Sequence, residues 1–363
     1  MEAKFCPAGK TPRLVTVSEL KRDLRALPKA HLHLHFTGAM RPQTLLELAR
    51  ETQQRLPRFM GEGDPLHVPA DERGWFRFQR SYDLARALVR CETVMRRIVR
   101  EAAEDDAAEG SRRLEIQVDP TSYAPWVGGL TPALEIILDE AKVSAEATGV
   151  EIGVIVAASR TRNPMDARTL ARLASRYAGD QPGEVIGFGL SNDERAGSTP
   201  DFEPAFRIAA RAGLASFPHG GELRGPEHIA QVVRHLHPAR LGHGVRAAEQ
   251  PDLLKSLVDH GIALEVCPAS NVSLGVYPTL AEVPLRTLTE AGATVALGAD
   301  DPLLFRSRLL DQYEFARQVA GFTDRELAEL AAGSVRASLA SAPTKTKLLE
   351  QIDLWLKSSN PGN

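Results

Sequence analysis

The run Ala30-His31-Leu32-His33-Leu34-His35-Phe36 sets three imidazoles in alternation with leucines inside a short apolar stretch. Side chains of a β-strand alternate between two faces, so the spacing predicts a strand with all three histidines on one face. Two imidazoles one step apart on a face can hold one metal ion, and histidine is the commonest metal ligand. A half-buried strand with histidines as polar decoration would read the same. The rest of the chain has to decide.

Comparable β-rich runs recur at 113–119, 151–157, 184–190, 214–219, 240–243, 262–267 and 294–299, which with residues 30–36 makes eight. Amphipathic stretches long enough for helices lie between them, at 132–148, 166–177, 201–212, 226–237 and 251–260. Strand and helix alternating eight times is the pattern of an α/β fold of the parallel (β/α)8 barrel type, with helices outside. A doubly wound open sheet shares the alternation, but no GxGxxG follows an early strand. The gap from Thr37 to Ser111 is too long for one helix, and its middle, 71–96, is rich in aromatics and arginine. In a barrel this predicts a lid insertion of about residues 38–111 over the active-site mouth. Helical patterns at 311–318, 323–339 and 344–356 predict extra C-terminal helices. No repeat or linker divides the chain, so one domain over residues 1–363 is expected.

Bulk properties narrow the partners. With 43% hydrophobic and 25% charged residues the composition is that of an ordinary globular protein, and a net charge of -3 offers no attraction to nucleic acid or an anionic membrane. A small molecule is the expected partner, and oligomeric state is not legible. Cys6, Cys91 and Cys267 lie far apart without a CxxC pair, against a disulfide framework or a thiolate metal site. The first ten residues lack the apolar core of a signal peptide, and no run approaches the roughly 20 apolar residues of a membrane span. A cytoplasmic location is expected.

Barrel enzymes carry their chemistry at the C-terminal ends of the strands. His33 and His35 close the first run, and His219 closes the fifth, followed by Gly220-Gly221-Glu222. His243 ends the sixth between Gly242 and Gly244, and Asp300-Asp301-Pro302 follow the eighth. Taken singly, each could be a turn residue or a helix cap. The barrel, however, would bring them all to one rim. Imidazoles with a carboxylate and no thiolate suit a borderline cation such as zinc in a catalytic site, where water bound to it is acidified to a pKa of about 7.

Pro28-Lys29-Ala30-His31-Leu32-His33-Leu34-His35, His219-Gly220-Gly221-Glu222, Gly242-His243-Gly244 and Leu297-Gly298-Ala299-Asp300-Asp301-Pro302 together resemble the adenosine deaminase family of the amidohydrolase superfamily, with supporting matches at 115–120 and 190–194. The resemblance implies one zinc ion (Zn2+) per chain, held by His33, His35, His219 and Asp300, with His31 set one step deeper. It implies Glu222 as the proton donor to ring nitrogen N1 of a 6-aminopurine nucleoside, Asp300 as the acceptor of the attacking water's proton, His243 as the group that steadies that water, and ammonia as the leaving product. Asp301 is similar to the family's partner for N7, and Asn192 lies in the segment that resembles the one meeting N3.

Departures from the family pattern bear on the substrate. His31 stands where the family usually has glutamate, Asn192 where it has glycine, and Thr37 where adenosine deaminases place an aspartate for the ribose 5′-hydroxyl. Exchanging that carboxylate for a hydroxyl weakens the bond about twofold, which suits a substrate without a free 5′-hydroxyl. The run His35-Phe36-Thr37-Gly38-Ala39-Met40-Arg41-Pro42 resembles the aminodeoxyfutalosine deaminases of the futalosine route to menaquinone. This implies 6-amino-6-deoxyfutalosine, an adenine nucleoside with a carboxyphenyl ketone arm, as substrate. Trp75, Phe76, Arg77 and Arg80 are then expected to meet that arm, with Arg73, Phe78, Tyr82 and Arg86 in the same stretch. Adenosine, deaminated in purine salvage, is the alternative. An inactive binding protein would be expected to lack one of these residues, and a two-metal ester hydrolase would need a lysine at a strand end.

Overall fold

The structure is a computed structural model and describes residues 21–358. Cys6 and the first ten residues therefore lie outside the described residues. Eight strands run in parallel in chain order: β1 (Lys29–His35), β2 (Ser111–Val118), β3 (Glu151–Ser159), β4 (Val185–Ser191), β5 (Ala215–Gly220), β6 (Arg240–His243), β7 (Ala263–Val266) and β8 (Val295–Leu297). The chain just beyond β8 returns to β1: His35 N–H donates to the Asp300 carbonyl at 3.0 Å, and Asp300 N–H donates to the His33 carbonyl at 3.1 Å. These bonds complete a (β/α)8 barrel and seat Asp300 beside the two histidines.

Nearly every strand residue is buried, as a parallel sheet covered by helices requires. Inside the barrel, below the rim, Arg240 donates to Glu265 at 2.6 Å and to Glu115, and lies over the Phe217 ring at 3.8 Å. Glu115 also accepts from Arg113 at 3.0 Å. Arginines and glutamates thus neutralise one another where water cannot reach.

One expectation about β1 is corrected. An extra residue enters the strand between His31 and Leu34, so that His31 aligns with Leu114 of β2 while His35 aligns with Gln117. Leu114 and Gln117 lie on opposite faces of β2, and a bulge of this kind breaks the two-residue alternation. His31 is therefore turned away from His33 and His35. Its Nδ1 lies 3.0 Å from Asp106, and its Nε2 accepts from the backbone N–H of Ala299 at 3.1 Å.

Four helices fill the segment between β1 and β2: α1 (Pro42–Glu51), α2 (Arg58–Glu62), α3 (Glu72–Arg86) and α4 (Glu92–Ala108). The last packs on β2 as an outer barrel helix. Asp71 caps α3 by accepting from Gly74 N–H at 2.7 Å, and Phe78 stacks on Phe305. After β8 come the expected helices Leu309–Gln318, Asp324–Ala337 and Ala342–Lys357, of which the second packs on β1 and β8. Two short helices after β7, Pro268–Ser273 and Leu285–Glu290, have no counterpart in the sequence reading. Among the described residues no helix is long and apolar enough to cross a membrane.

Candidate active site

The ends of β1, β5, β6 and the turn after β8 converge. His35 Nε2 lies 3.2 Å from His219 Nε2 and 3.2 Å from Asp300 Oδ1, and His33 Nε2 lies 3.5 Å from the same oxygen. Donor atoms held tetrahedrally about 2.0–2.2 Å from one ion stand about 3.3–3.6 Å apart. The observed spacing fits one such cation. His33 Nε2 is buried without a hydrogen-bond partner, as a nitrogen kept for a metal would be. Among the described residues three sets of potential ligands, His33 with His35 and Asp300, His33 with His219 and His243, and Glu222 with His243 and Asp300, each have their donor atoms within 4.8 Å of one another.

Glu265 of β7 sets the orientation of His33. Its Oε2 lies 2.7 Å from His33 Nδ1, while its other oxygen takes the Arg240 bond. A carboxylate at Nδ1 fixes the proton there and leaves the Nε2 lone pair facing the rim. Neither Glu265 nor Arg240 was singled out from sequence, although a lone glutamate in the apolar run 262–267 was a visible signal.

The backbone at the rim is strained where the side chains matter. His243 and Asp300 have φ of 63° and 61°, in the left-handed region that ordinary residues rarely adopt. Gly38 has to be glycine, because a Cβ there would lie 1.9 Å from Asp301 Oδ1.

Three buried carboxyls at this rim have opposite tendencies. Burial pushes Glu222 well above the usual range, and the Asp300 and Glu194 charges add to the effect. Asp301 is likewise pushed well up by burial and by Asp300. Burial acts against ionisation of Asp300 too, but the neighbouring His33, His35 and His243 rings prevail and hold it below the usual range. The surroundings thus favour the acid form of Glu222 and Asp301 and the ionised form of Asp300. Burial also lowers His243 to about 4, so its imidazole is neutral; its Nε2 lies 3.5 Å from Glu222 and 4.0 Å from Asp300. Asp301 Oδ1 is buried and unpartnered.

The family profile described as adenosine deaminase matches residues 28–355. The chain belongs to the adenosine deaminase family. It is similar to a Streptomyces virginiae protein named as an adenosine/adenine deaminase, with 60% identity covering 93% of this chain and 99% of the relative. An adenine deaminase of Rhizobium meliloti is 35% identical over 90% of this chain and 98% of its own. Among solved structures, the adenine deaminase of Arthrobacter aurescens superposes with a TM-score of 0.83 at 30% identity, covering 91% of this chain and 99% of that one. Family membership makes the protein a metal-dependent aminohydrolase.

A cavity partly open to solvent leads to this rim of the barrel. His35, His219, Glu222, His243, Asp300 and Asp301 line its floor, and Asn192 its side. Asn192 has φ of 78°, which explains why the family usually has glycine there. The wall on α3 is Trp75, Phe78, Gln79, Tyr82 and Arg86, one face of the helix by its three- and four-residue steps. That spacing separates Arg86 from Arg77 and Arg80, which sit on the exposed side of α3 and do not line the cavity. Phe76 is 66% exposed and borders only an outer groove. Thr37 is not itself in the cavity lining: it is fully buried, with its hydroxyl 2.5 Å from that of Tyr123 and also hydrogen-bonded to Tyr82, which does line it. The outer groove continues the cavity past Trp75, Arg86, Asp119 and Asn192 to Arg162 and Arg195. Asp119 was not named from sequence.

Proposed function

We propose that this protein hydrolyses the 6-amino group of an adenine nucleoside extended at its 5′ position, 6-amino-6-deoxyfutalosine, with one zinc ion held by His33, His35, His219 and Asp300. The observation that carries the reaction is that Glu222, His243, Asp300 and Asp301 line one cavity beside the histidine cluster. N1 and N7 of a 6-aminopurine are hydrogen-bond acceptors, and Glu222 and Asp301, both pushed toward the acid form by burial, can donate to them. Neutral acids at both places suit a purine ring.

The ion, when bound, supplies Lewis-acid activation of a water molecule. The protein's own groups do the rest. Glu222 gives its proton to N1, which draws electrons from C6 and opens it to attack. Ionised Asp300 takes the water's proton as the oxygen bonds to C6, and His243, a neutral imidazole between Asp300 and Glu222, holds that oxygen by a hydrogen bond. The C6–N bond then breaks as the amino group takes the proton from Asp300 and leaves as ammonia, while the C6 hydroxyl becomes the carbonyl and its proton restores Glu222. Asn192 borders the N3 side of the ring.

The continuation of the cavity into the outer groove supports the extended arm. Trp75 offers an aromatic face, and Arg86 a guanidinium for a carboxylate. The names of the relatives favour a second reading, in which adenosine or adenine is the substrate. Ammonia release by the zinc-loaded enzyme on 6-amino-6-deoxyfutalosine, adenosine and adenine decides between them. The highest kcat/KM belongs to the first under this proposal; a higher value on either of the others contradicts it.

A further inference from the structure

Glu222 can donate to a ring nitrogen only if the turn that carries it is held, and that turn has little secondary structure of its own. Residues Gly221 to Arg224 follow β5 and lead to the helix Pro226–Leu236, and Gly221 adopts φ of 85°. Backbone N–H groups in such a turn point inward and need a partner. Glu194, in the loop after β4, supplies it. Its carboxylate accepts from Glu222 N–H at 3.1 and 3.2 Å, from Leu223 N–H at 2.9 Å and from Arg224 N–H at 2.8 Å. Three successive amides converge on one fully buried carboxylate.

The groups around Glu194 hold it charged and in place. His228 of the next helix lies 3.7 Å away, and the Nε2 of that ring is 3.4 Å from Thr199. Arg160 donates to Thr199 at 3.0 Å and to the carbonyl of His219 at 3.2 Å. The β5 strand end is therefore gripped from two sides, by Arg160 at His219 and by Glu194 just beyond. Burial opposes the charge of Glu194, but His228 and the amides of Arg224 and Glu222 hold its pKa down at about 2. Two residues before Glu194, Asn192 lines the cavity. The loop that borders the ring thus also clamps the proton donor.

We infer that Glu194 is a positioning residue: its carboxylate locks the turn so that the Glu222 carboxyl faces the substrate, and ties that placement to the loop bearing Asn192. The inference rests on Glu222 being the proton donor. Glu194→Gln keeps the size but leaves one uncharged carbonyl oxygen for the three N–H donors and sets an NH2 against the Glu222 N–H at the other position. A misplacement of the donor by about 1 Å costs on the order of 100-fold in rate. In Glu194→Gln, kcat on the better of adenosine and 6-amino-6-deoxyfutalosine falls by about that factor, while KM changes less than about threefold and bound zinc stays at the wild-type level. Amides of 220–225 also exchange hydrogen faster, with the rest of the barrel unchanged. Glu194→Asp, which keeps the charge, recovers part of kcat and serves as the test if the glutamine variant fails to fold.

The positioning role is overturned if Glu194→Gln retains kcat within about threefold, or if activity falls only with zinc content or global stability while exchange at 220–225 is unaltered. Glu222→Gln tells the two readings apart. An active Glu222→Gln enzyme removes the donor role whatever Glu194 does, whereas an inactive one beside a fully active Glu194→Gln removes the positioning role alone.

Discussion

Glu222 sits where burial and the neighbouring charges of Asp300 and Glu194 favour the uncharged acid. A glutamine there fills the same space and cannot give up a proton at neutral pH. Glu222→Gln is expected to lower kcat about 100- to 10,000-fold with the fold intact, the usual worth of general acid catalysis. A loss smaller than tenfold would assign the proton to another group. One layer below, Glu265 acts on His33 rather than on substrate. Glu265→Gln is expected to weaken zinc binding about 10- to 100-fold, read by competition with a chelator, because carboxylates of this kind fix the donor nitrogen of a ligand histidine. Unchanged affinity would show that the barrel holds His33 without it.

At the scale of elements, α3 presents one face to the cavity and the other to solvent. Arg86→Ala is expected to cost about 10- to 100-fold in kcat/KM on a substrate bearing an aryl carboxylate, the value of a charge-assisted hydrogen bond, and little on adenosine. Arg77→Ala and Arg80→Ala are expected to change neither. Equal losses on both substrates in Arg86→Ala would mean that the arginine supports α3 rather than the arm. These residues show where sequence reading worked and where it stopped. The eight strands were legible because each is an apolar run separated by amphipathic stretches, and the rim residues were legible because a barrel places strand ends together. His31 was misplaced because a bulge leaves no mark in an unbroken alternation. Arg86 stayed one candidate among four until the helix phase was fixed by Trp75, Phe78 and Tyr82 facing the cavity. Thr37 looked like a substrate contact because its position follows the metal histidines. In the fold its hydroxyl bonds Tyr123, far off in sequence, and Tyr82 of the cavity wall.

The molecule as a whole encloses charges that must stay paired. Arg240 bridges Glu115 and Glu265 across the barrel, so Glu115→Ala is expected to destabilise the fold by about 3–5 kcal/mol in urea unfolding, by leaving a buried guanidinium uncompensated. Glu194 adds a pH dependence of known sign. Its pKa is depressed from 4.5 to about 2, so its contribution is complete above about 4.5 and is lost as pH falls through about 2. That shift corresponds to about 3 kcal/mol, and the stability gap between wild type and Glu194→Gln in the metal-free protein should close across this window. A gap that stays constant from pH 5 to 2 would contradict the clamp's charge. The proposed reaction requires one arrangement, an ionised Asp300 beside a protonated Glu222. The pH profile of kcat/KM for the zinc-loaded enzyme tests it most directly. The account predicts a plateau through neutral pH that falls on the alkaline side as Glu222 loses its proton, a limb that Glu222→Gln abolishes; activity already declining as pH rises through the ordinary carboxylate range, about 4 to 5, would contradict it.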